Sequence, residues 1–344
     1  MLASVMKGDG VPRDGDYVFE PKWDGFRCIV FRDGDNIELG SRNERPLTRY
    51  FPELVEKLRA ALPQRCVIDG EIVLVIDDKL DFGQLQSRLH PAASRVKMLS
   101  EKIPASFVAF DCLAVGADDL RDEPLTKRRA ALEKIGSNAA SDFFITPTTQ
   151  DPDVAESWFS VMEGAGLDGL MAKPLSLTYQ ENKRVMFKLK HKRSADCVVA
   201  GYRMHKDGKG VGSLLLGLYD EGGKLNHVGV ASSFSAKRRA ELLEELAPYK
   251  LRDGDEHPWA EWALPQEGTQ RMPGSQSRWS AGKDFSFEPL RIELVAEVAY
   301  DHMEGNRFRH ATKLICWRTD RVADSCDYSQ LEEADASTFS EIFS

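Results

Sequence analysis

The basic run at 191–193 separates two parts of the chain that have different hydrophobic patterns. Before it, segments with alternating apolar residues are interleaved with segments of helical spacing. After it, short apolar segments are joined by glycine-rich turns, with one helical segment among them. The first pattern is typical of an α+β domain with antiparallel or mixed sheets. The sequence therefore predicts two domains, which span 1–191 and 192–344.

Local patterns predict the elements of each domain. In the first, an extended segment at 16–31 and a strand at 36–41 form a hairpin around the turn residues 32–35. The other elements predicted there are helices at 50–61, 125–135 and 152–164 and strands at 67–76, 107–115, 167–173 and 184–190. In the second we predict strands at 195–204, 213–219, 227–232, 291–300 and 308–319 and a helix at 235–249 capped by Ser235. Several short strands and one helix suit a small barrel of the oligonucleotide-binding (OB) type.

The composition is that of a soluble globular protein, with 42% hydrophobic and 29% charged residues among 344. The chain has no apolar run of about twenty residues, and its first ten residues are too polar for a secretory signal. We therefore expect a cytoplasmic protein with no membrane partner. The net charge of −9 does not exclude nucleic acid, because such binding depends on a local patch. Basic residues cluster at 183–184, 188–193, 237–239 and 307–313, where each cluster alone is more typical of a solvated face than of a binding patch.

The six cysteines contain no Cys-x-x-Cys pair, and most lie in apolar or strand-like segments. This pattern predicts buried, reduced thiols. It also argues against a structural zinc site, which needs clustered cysteine or histidine ligands.

The segment 17–30, YVFEPKWDGFRCIV, contains the pattern Lys-x-Asp-Gly at Lys22, Asp24 and Gly25. Taken alone this pattern is weak, since a strand that ends in a polar turn would also produce it. Further segments downstream contain polar, charged or aromatic residues that could take part in the same chemistry. They are Ser41-Arg42-Asn43, Asp69-Gly70-Glu71, FVAFDCL at 107–113, DGLMAK at 168–173 and FKLK at 187–190, followed near the C-terminus by RHATKLICWRTDR at 309–321.

Together these segments resemble the motifs of the covalent nucleotidyltransferases, and the resemblance covers nearly the whole chain. It is strongest to ATP-dependent DNA ligases, particularly the stand-alone bacterial ligase C type. The resemblance implies an ATP-grasp-like nucleotidyltransferase domain at 1–191, followed by an OB-fold β-barrel at 192–344. It also implies that Lys22 attacks the α-phosphate of ATP and keeps AMP as a phosphoramidate. To attack, the lysine must be a neutral amine, which the nearby cations Lys188 and Lys190 would favour.

The resemblance assigns nucleotide contacts to several residues. Glu20, two residues before the nucleophile on the same strand face, would accept from the adenine amino group. Arg27 would contact the sugar and phosphate of the nucleotide, and Arg42 the ribose. For Glu20 and Arg27 the alternative is a surface ion pair. Phe110 would stack on adenine, although an aromatic residue in an apolar strand is more often part of the core.

Metal and phosphate roles follow from the remaining motifs. Glu71 and Asp168 would bind Mg²⁺ or Mn²⁺, since such ions prefer oxygen ligands. The family usually has glutamate where this chain has Asp168. Lys188 and Lys190 would point to one face of a strand and contact one phosphate.

Arg184 would be a further nucleotide contact. In the final motif Arg318 and Asp320 match the family, and Arg321 replaces a lysine with a different geometry. This motif would orient the pyrophosphate when the second domain closes about a hinge near 191–194.

The sequence thus predicts an ATP-dependent DNA ligase that seals nicks in duplex DNA, with a role in repair, near the bacterial nucleoid. We expect a monomer that works with other repair proteins and contacts DNA mainly through the backbone. The loop 253–289 is predicted to contribute to nick binding. Alternatives are an RNA ligase, a GTP-using capping enzyme or an NAD-dependent ligase. A catalytically inactive nucleic-acid-binding module is an alternative from another class.

Overall fold

The computed structural model describes residues 1–6, 10–42, 45–136, 143–190, 193–263, 286–331 and 338–343. The chain forms two compact units, Met1–Lys190 with Ala334–Ser344, and His191–Glu333. The predicted second domain ran to residue 344, whereas the described residues 338–343 pack in the first unit, because Phe339 and Ile342 are buried there and Phe343 packs against them. Asn43, the start of the expected hinge and 264–285 of the predicted loop lie outside the described residues. Among the residues described, no helix has the length and apolar character needed to cross a membrane.

The first unit combines helices with two main sheets. Its strands are β1 (Leu2–Val5), β2 (Tyr17–Pro21), β3 (Phe26–Asp33), β4 (Asn36–Ser41), β5 (Arg65–Val73), β6 (Val75–Ile76), β7 (Lys79–Leu80), β8 (Ser106–Val115), β9 (Asp118–Asp119), β10 (Phe143–Ile145), β11 (Leu170–Pro174) and β12 (Arg184–Leu189). Its helices are α1 (Pro52–Ala61), α2 (Phe82–Ser87), α3 (Ala93–Lys102), α4 (Leu125–Gly136) and α5 (Pro152–Val161). One sheet has the order β1-β12-β11-β2, and the other has the order β10-β8-β5-β3-β4 with β9 on β8. Both are mixed, because β1–β12 and β8–β10 are parallel while their other pairings are antiparallel.

The predicted hairpin is correct for β3 and β4, which pair around a turn with Gly34 at φ +61°. The prediction was wrong for β2, which belongs to the other sheet. The motif residues after Pro21 therefore connect the two sheets. A side chain at Gly25 would overlap the carbonyl oxygen of Ile72, so the chain can pass close to β5 only with glycine here. This connection places the residues of the Lys-x-Asp-Gly pattern between the sheets.

Amphipathic helices cover the second sheet of this unit. Helix α1 buries Leu54, Val55 and Leu58 with helical spacing, and it begins with a proline at its first position. Helix α4 buries Leu132 and Ile135 in the same core. Fully burying one such aliphatic side chain stabilises the fold by about 1.5–3 kcal/mol. The sequence patterns did not predict α2, which has six residues, or α3, which has ten and buries Val96, Leu99 and Ser100.

The second unit is built on an antiparallel sheet. Its strands are β13 (Arg193–Met204), β14 (Val211–Tyr219), β15 (Leu225–Ala231), β16 (Glu288–Pro289), β17 (Val295–Tyr300), β18 (Met303–Glu304), β19 (Arg307–Phe308) and β20 (Lys313–Trp317). Its helices are α6 (Ala236–Leu246) and α7 (Ala260–Ala263). The sheet order is β15-β14-β13-β17-β20, with β16 on β13, and β18 pairs with β19. The predicted cap is confirmed, since the Ser235 side chain accepts from the Arg238 N–H at 3.2 Å.

All of the cysteines except Cys316 are buried, and all are free thiols. The prediction of a buried thiol was wrong for Cys316 because β20 is the last strand in its sheet order, where a side chain can face solvent. Its sulfur lies 3.5 Å from Oε2 of Glu297 on β17.

Candidate active site

The strand ladder of the first sheet continues past the strand ends and brings three motifs level with each other. The Lys22 N–H donates to the Gly169 carbonyl at 2.9 Å, and the Asp168 N–H donates to the Lys22 carbonyl at 3.1 Å. Leu170 pairs with Pro21 on one side and with Leu189 on the other. Lys22, Gly169 and Lys190 therefore lie in one row across the sheet.

Asp168 bridges the two lysines of this row through a single oxygen. Its Oδ2 is 2.6 Å from Nζ of Lys22 and 3.0 Å from Nζ of Lys190, and the three side chains are 17–22% exposed. Burial raises the pKa of Asp168, but the charges and hydrogen bonds of the two lysines outweigh it and hold that pKa below its usual range. Asp168 is therefore an anion that holds both cations.

Gly169 makes this bridge possible. Its φ is +97°, and a Cβ there would overlap the carbonyl oxygen of Leu189 on the neighbouring strand. Only glycine combines this backbone conformation with so close an approach. The residue that follows Asp168 thus fixes where its carboxylate lies.

Glu20 forms an ion pair, but the pair is buried instead of lying on the surface. The Nζ of Lys173 lies 2.7 Å from Oε2 of Glu20, and both side chains are only 3% exposed. The same ammonium lies 4.7 Å from the centroid of the Phe110 ring, within the range of a cation–π contact. Lys173 therefore joins the predicted adenine acceptor to the predicted stacking residue.

Phe110 owes its orientation to a bulge in β8. Asp69 pairs with Asp111 and Gly70 pairs with Ala109, so Phe110 is the extra residue between them. A bulge re-aims a side chain out of strict alternation. The side chain is partly exposed, unlike Ala109 and Asp111 beside it. Phe110 is thus not an ordinary core residue of this strand.

Arg27 binds a buried carboxylate beside the Phe110 ring. Its Nε and Nη2 lie 3.1 and 2.6 Å from the two oxygens of Asp69, which is fully buried. Tyr179 donates to the same Asp69 carboxylate at 2.8 Å, and the Arg27 guanidinium carbon is 5.8 Å from the Phe110 centroid. Burial lowers the pKa of Arg27, but Asp69 more than offsets this and raises it. This is a bidentate, oriented pair.

Glu71 is a carboxylate with incomplete charge compensation. Burial raises its pKa to about 8, against the opposing charges of Lys22 and Arg27. Glu71 pairs with Arg27 across the strands, and its Cγ lies 2.9 Å from the position of a Cβ on Gly25. A hard cation would be a suitable partner for this oxygen donor. The residues described contain no preformed group of three or more metal-ligating side chains.

The remaining predicted residues of the first unit lie at different distances from this row. Met171 pairs with Lys188 on one side and with Glu20 on the other, so Lys188 and Glu20 lie in one row across the sheet. Lys188 shares a face with Lys190 because the two lysines are two residues apart along the chain. Arg42 follows β4 and is exposed, one position beyond the pair Ser41–Cys28. Arg184 is exposed at the start of β12 and donates to the Ala3 carbonyl at 3.3 Å. It lies about 20 Å along the strand from Lys190, so the structure does not bring it to Lys22.

The residues of the final motif form a cluster within the second unit. Asp196 on β13 is nearly buried, and its Oδ2 lies 2.8 Å from Arg318 and 2.7 Å from Arg321. Arg318 also contacts Asp320 at 2.7 Å. Asp196 thus holds both guanidinium groups, and Asp320 adds a second carboxylate to Arg318.

Four residues that shape these sites were not given a role from the sequence. They are Lys173, Asp69, Tyr179 and Asp196. Strand alternation could have placed Lys173 on the face of Glu20. A charged residue inside the apolar strand β13 could have marked Asp196. Tyr179 lies in an irregular segment and carries no such signal.

The Lys22–Asp168–Lys190 row and the buried Glu20–Lys173 pair both lie within residues 1–190, which match a known family. The family model described as "ATP dependent DNA ligase domain" matches residues 1–190, and that described as "ATP dependent DNA ligase C terminal region" matches 207–321. The chain belongs to the ATP-dependent DNA ligases.

Similarity to individual proteins extends over most of the chain. It is 58% identical over 329 residues to DNA ligase C of Mycobacterium tuberculosis, covering 94% of this chain and 90% of the relative. It is 58% identical over 317 residues to DNA ligase C2 of Mycolicibacterium smegmatis, covering 91% and 89%. A solved structure from a study of Lig E DNA ligases has a TM-score of 0.54 at 17% identity, covering 90% of this chain and all of that one, which supports the shared fold alone.

Proposed function

We propose that this ligase seals nicks in duplex DNA and that Lys22 carries the AMP. The Lys22–Asp168–Lys190 row is the observation that supports this most directly. Nζ of Lys22 attacks the α-phosphorus of ATP, a P–N bond forms, and the P–O bond to pyrophosphate breaks. The AMP then passes to the 5′-phosphate of the nick. Attack by the 3′-hydroxyl on that phosphate joins the strand and expels AMP.

Asp168 orients the nucleophile in this scheme. Lys22 must lose a proton before it attacks. The carboxylate of Asp168, 2.6 Å from Nζ, holds the Lys22 side chain in place, but its lowered pKa makes it a poor acceptor for that proton. Lys190 keeps the same carboxylate ionised and lies where it can offset charge on the transferred phosphoryl group. Lys188 on the same face adds a second cation.

The nucleotide pocket is proposed around Glu20 and Phe110. Lys173 holds Glu20 as an oriented carboxylate, which can accept from the exocyclic amine of adenine but repels the carbonyl oxygen of guanine. Phe110, turned outward by its bulge, is the proposed stacking surface for the base. Arg27, oriented by Asp69, would contact the sugar and α-phosphate.

Glu71 is the proposed ligand for Mg²⁺ or Mn²⁺. Its incompletely compensated carboxylate fits a hard cation. Such an ion, when bound, supplies charge stabilisation for the phosphates. Asp168 is the second predicted ligand, but its carboxylate already holds two lysines and would have to reach the ion through water.

The second unit is proposed to be an OB-type barrel that binds DNA. Its antiparallel order supports a barrel of this kind. Arg318, Asp320 and Arg321 are proposed to orient the pyrophosphate. Because the protein is expected to contact mainly the phosphate backbone of the DNA, its affinity for DNA should fall strongly as the salt concentration rises. A monomer acting in DNA repair with other repair proteins is the proposed biological setting.

Labelling with α-³²P-ATP, GTP and NAD tests this proposal. We expect label from ATP alone in the wild type, no label in Lys22→Ala, and full label in the matched control Lys183→Ala, which changes an exposed lysine. Nicked duplexes with DNA or RNA at the 3′ side then establish the substrate. Label in Lys22→Ala would contradict the assigned nucleophile, and label from GTP would contradict the assigned pocket.

A further inference from the structure

The C-terminal segment 338–343 is anchored to the first unit by hydrogen bonds to one residue. The N–H of Phe339 donates to the carbonyl oxygen of Asp78 at 2.6 Å. Ser340 donates to Oδ1 of Asp78 from its N–H at 3.1 Å and from its hydroxyl at 2.7 Å. Asp78 follows β6 in a turn and has a φ of +59°. The segment is thereby fixed at a defined position.

Its aromatic side chains pack on Trp23, the residue that follows Lys22. Phe343 stacks on the indole, with ring centroids 5.6 Å apart and planes 12° apart. Phe339 contacts the indole edge-on at 6.0 Å, and both phenylalanines also contact Phe144, at 4.8 and 5.4 Å. The result is an aromatic cluster against the segment that carries the nucleophile.

Trp23 is also fixed from the opposite direction. Its Nε1 donates to Oγ1 of the fully buried Thr146 at 2.9 Å, and the side chain is 6% exposed. Lys22 and Trp23 share a peptide plane, so fixing the indole restricts the backbone that aims the Lys22 side chain. A displacement of about 1 Å at a reacting group can reduce a rate a hundredfold.

We propose that the segment 338–343 is a positioning element for the nucleophile: Phe339 and Phe343 clamp Trp23 and so hold Lys22 in line for attack on ATP. The segment lies outside both matched family regions, which end at 190 and 321. The proposal rests on the proposed role of Lys22. It applies to the first chemical step alone, because sealing a nick that already carries AMP needs no attack by Lys22.

Two activities of the full-length protein test the proposal: the single-turnover rate of self-adenylation and the sealing of a nick with a preformed 5′-AMP. Phe343→Ala removes the stacked ring. Asp78→Gly removes the two hydrogen bonds from Ser340 to the Asp78 side chain without touching the aromatic cluster, and glycine tolerates the positive φ. We expect both variants to adenylate about ten- to a hundredfold more slowly and to seal the preadenylated nick at the wild-type rate.

Matched controls separate positioning from a merely structural role. Phe343→Tyr keeps the ring, and Asp77→Gly makes the same change one residue away at a φ of +49°; both should adenylate at the wild-type rate. Wild-type adenylation in Phe343→Ala and Asp78→Gly would overturn the proposal. So would an equal loss of both activities, since a structural role lowers both. Lys22→Ala in the same assay tests the nucleophile itself, so the two proposals fail separately.

Discussion

Asp168 binds Lys22 and Lys190 with the same carboxylate oxygen, at 2.6 and 3.0 Å. Neutralising that oxygen removes the charge that gathers the two ammonium groups and orients Lys22. We expect Asp168→Asn to slow self-adenylation about a hundredfold, the effect expected when a reacting group is displaced by about 1 Å. Single-turnover labelling with ATP measures this, and Asp118→Asn, at an exposed carboxylate, is the control. An unchanged rate would show that the bridge is not used in the reaction.

Gly169 is predicted to be intolerant of a methyl group for a steric reason beyond its backbone conformation. Gly169→Ala combines a φ of +97° with overlap of the Leu189 carbonyl. Gly116→Ala is the matched control, because Gly116 has a φ of +60° and nothing within 4 Å of an added Cβ. Both pay about 1–2 kcal/mol for the left-handed backbone. Urea unfolding should therefore show a larger loss at Gly169, accompanied by slower adenylation; equal losses would contradict the steric argument.

Much of the fold could be predicted from periodicity. Strands β5, β8, β11, β12 and β13 and helices α1, α4 and α6 lie where apolar spacing placed them, within a few residues. The assignment of β2 and β3 to different sheets could not be predicted, because both strands are locally suitable partners. What separates them is the close passage at Gly25, a tertiary constraint. The return of the C-terminus to the first unit likewise depends on contacts with residues more than 200 positions away.

The site could be predicted as a set of residue types but not as a set of partners. The motif order named Lys22, Glu20 and Asp168, yet their ion pairs join residues about 150 positions apart. Sheet register decides those pairs. The outward turn of Phe110 depends on a bulge, which no local pattern marks.

Removing one partner of the Glu20–Lys173 pair is predicted to lower the free energy of unfolding more than replacing both partners with uncharged residues. Lys173→Met leaves an unpaired buried carboxylate and should lower the free energy of unfolding by about 3–5 kcal/mol. The double variant Glu20→Gln/Lys173→Met has no buried charge and should recover part of that loss. Denaturation curves of the variants give the coupling energy between Glu20 and Lys173. The KM for ATP should rise in both variants because Glu20 no longer forms an oriented anion. Additive losses in the double variant would contradict a direct pair.

The second unit should lose stability in mild acid through His257. This imidazole is buried, accepts from the Trp259 N–H at 3.0 Å and lies 2.8 Å from the Ala200 carbonyl. Burial lowers its pKa below the ordinary value of about 6.5. The unfolded chain therefore takes up a proton first, so stability is complete above about pH 6.5 and falls as pH drops towards the folded pKa.

His257→Gln tests that dependence because the amide keeps a donor and an acceptor and does not titrate. Unfolding curves of the wild type and variant between pH 7.5 and 5.5 should show the wild-type advantage shrinking as pH falls. A difference that stays constant over this range would mean that His257 binds protons equally in both states.

Asp196 holds Arg318 and Arg321, and its loss is predicted to affect one chemical step more than the others. Asp196→Asn removes the charge that orients both guanidinium groups, at 2.8 and 2.7 Å. If these arginines orient pyrophosphate, self-adenylation should fall about tenfold or more, in line with loss of a preorganised electrostatic contact. Sealing of a preadenylated nick, which releases no pyrophosphate, should be retained. Asp324→Asn, an exposed carboxylate of the same unit, is the control. Parallel loss of both activities in Asp196→Asn would instead assign Asp196 to the stability of the second unit.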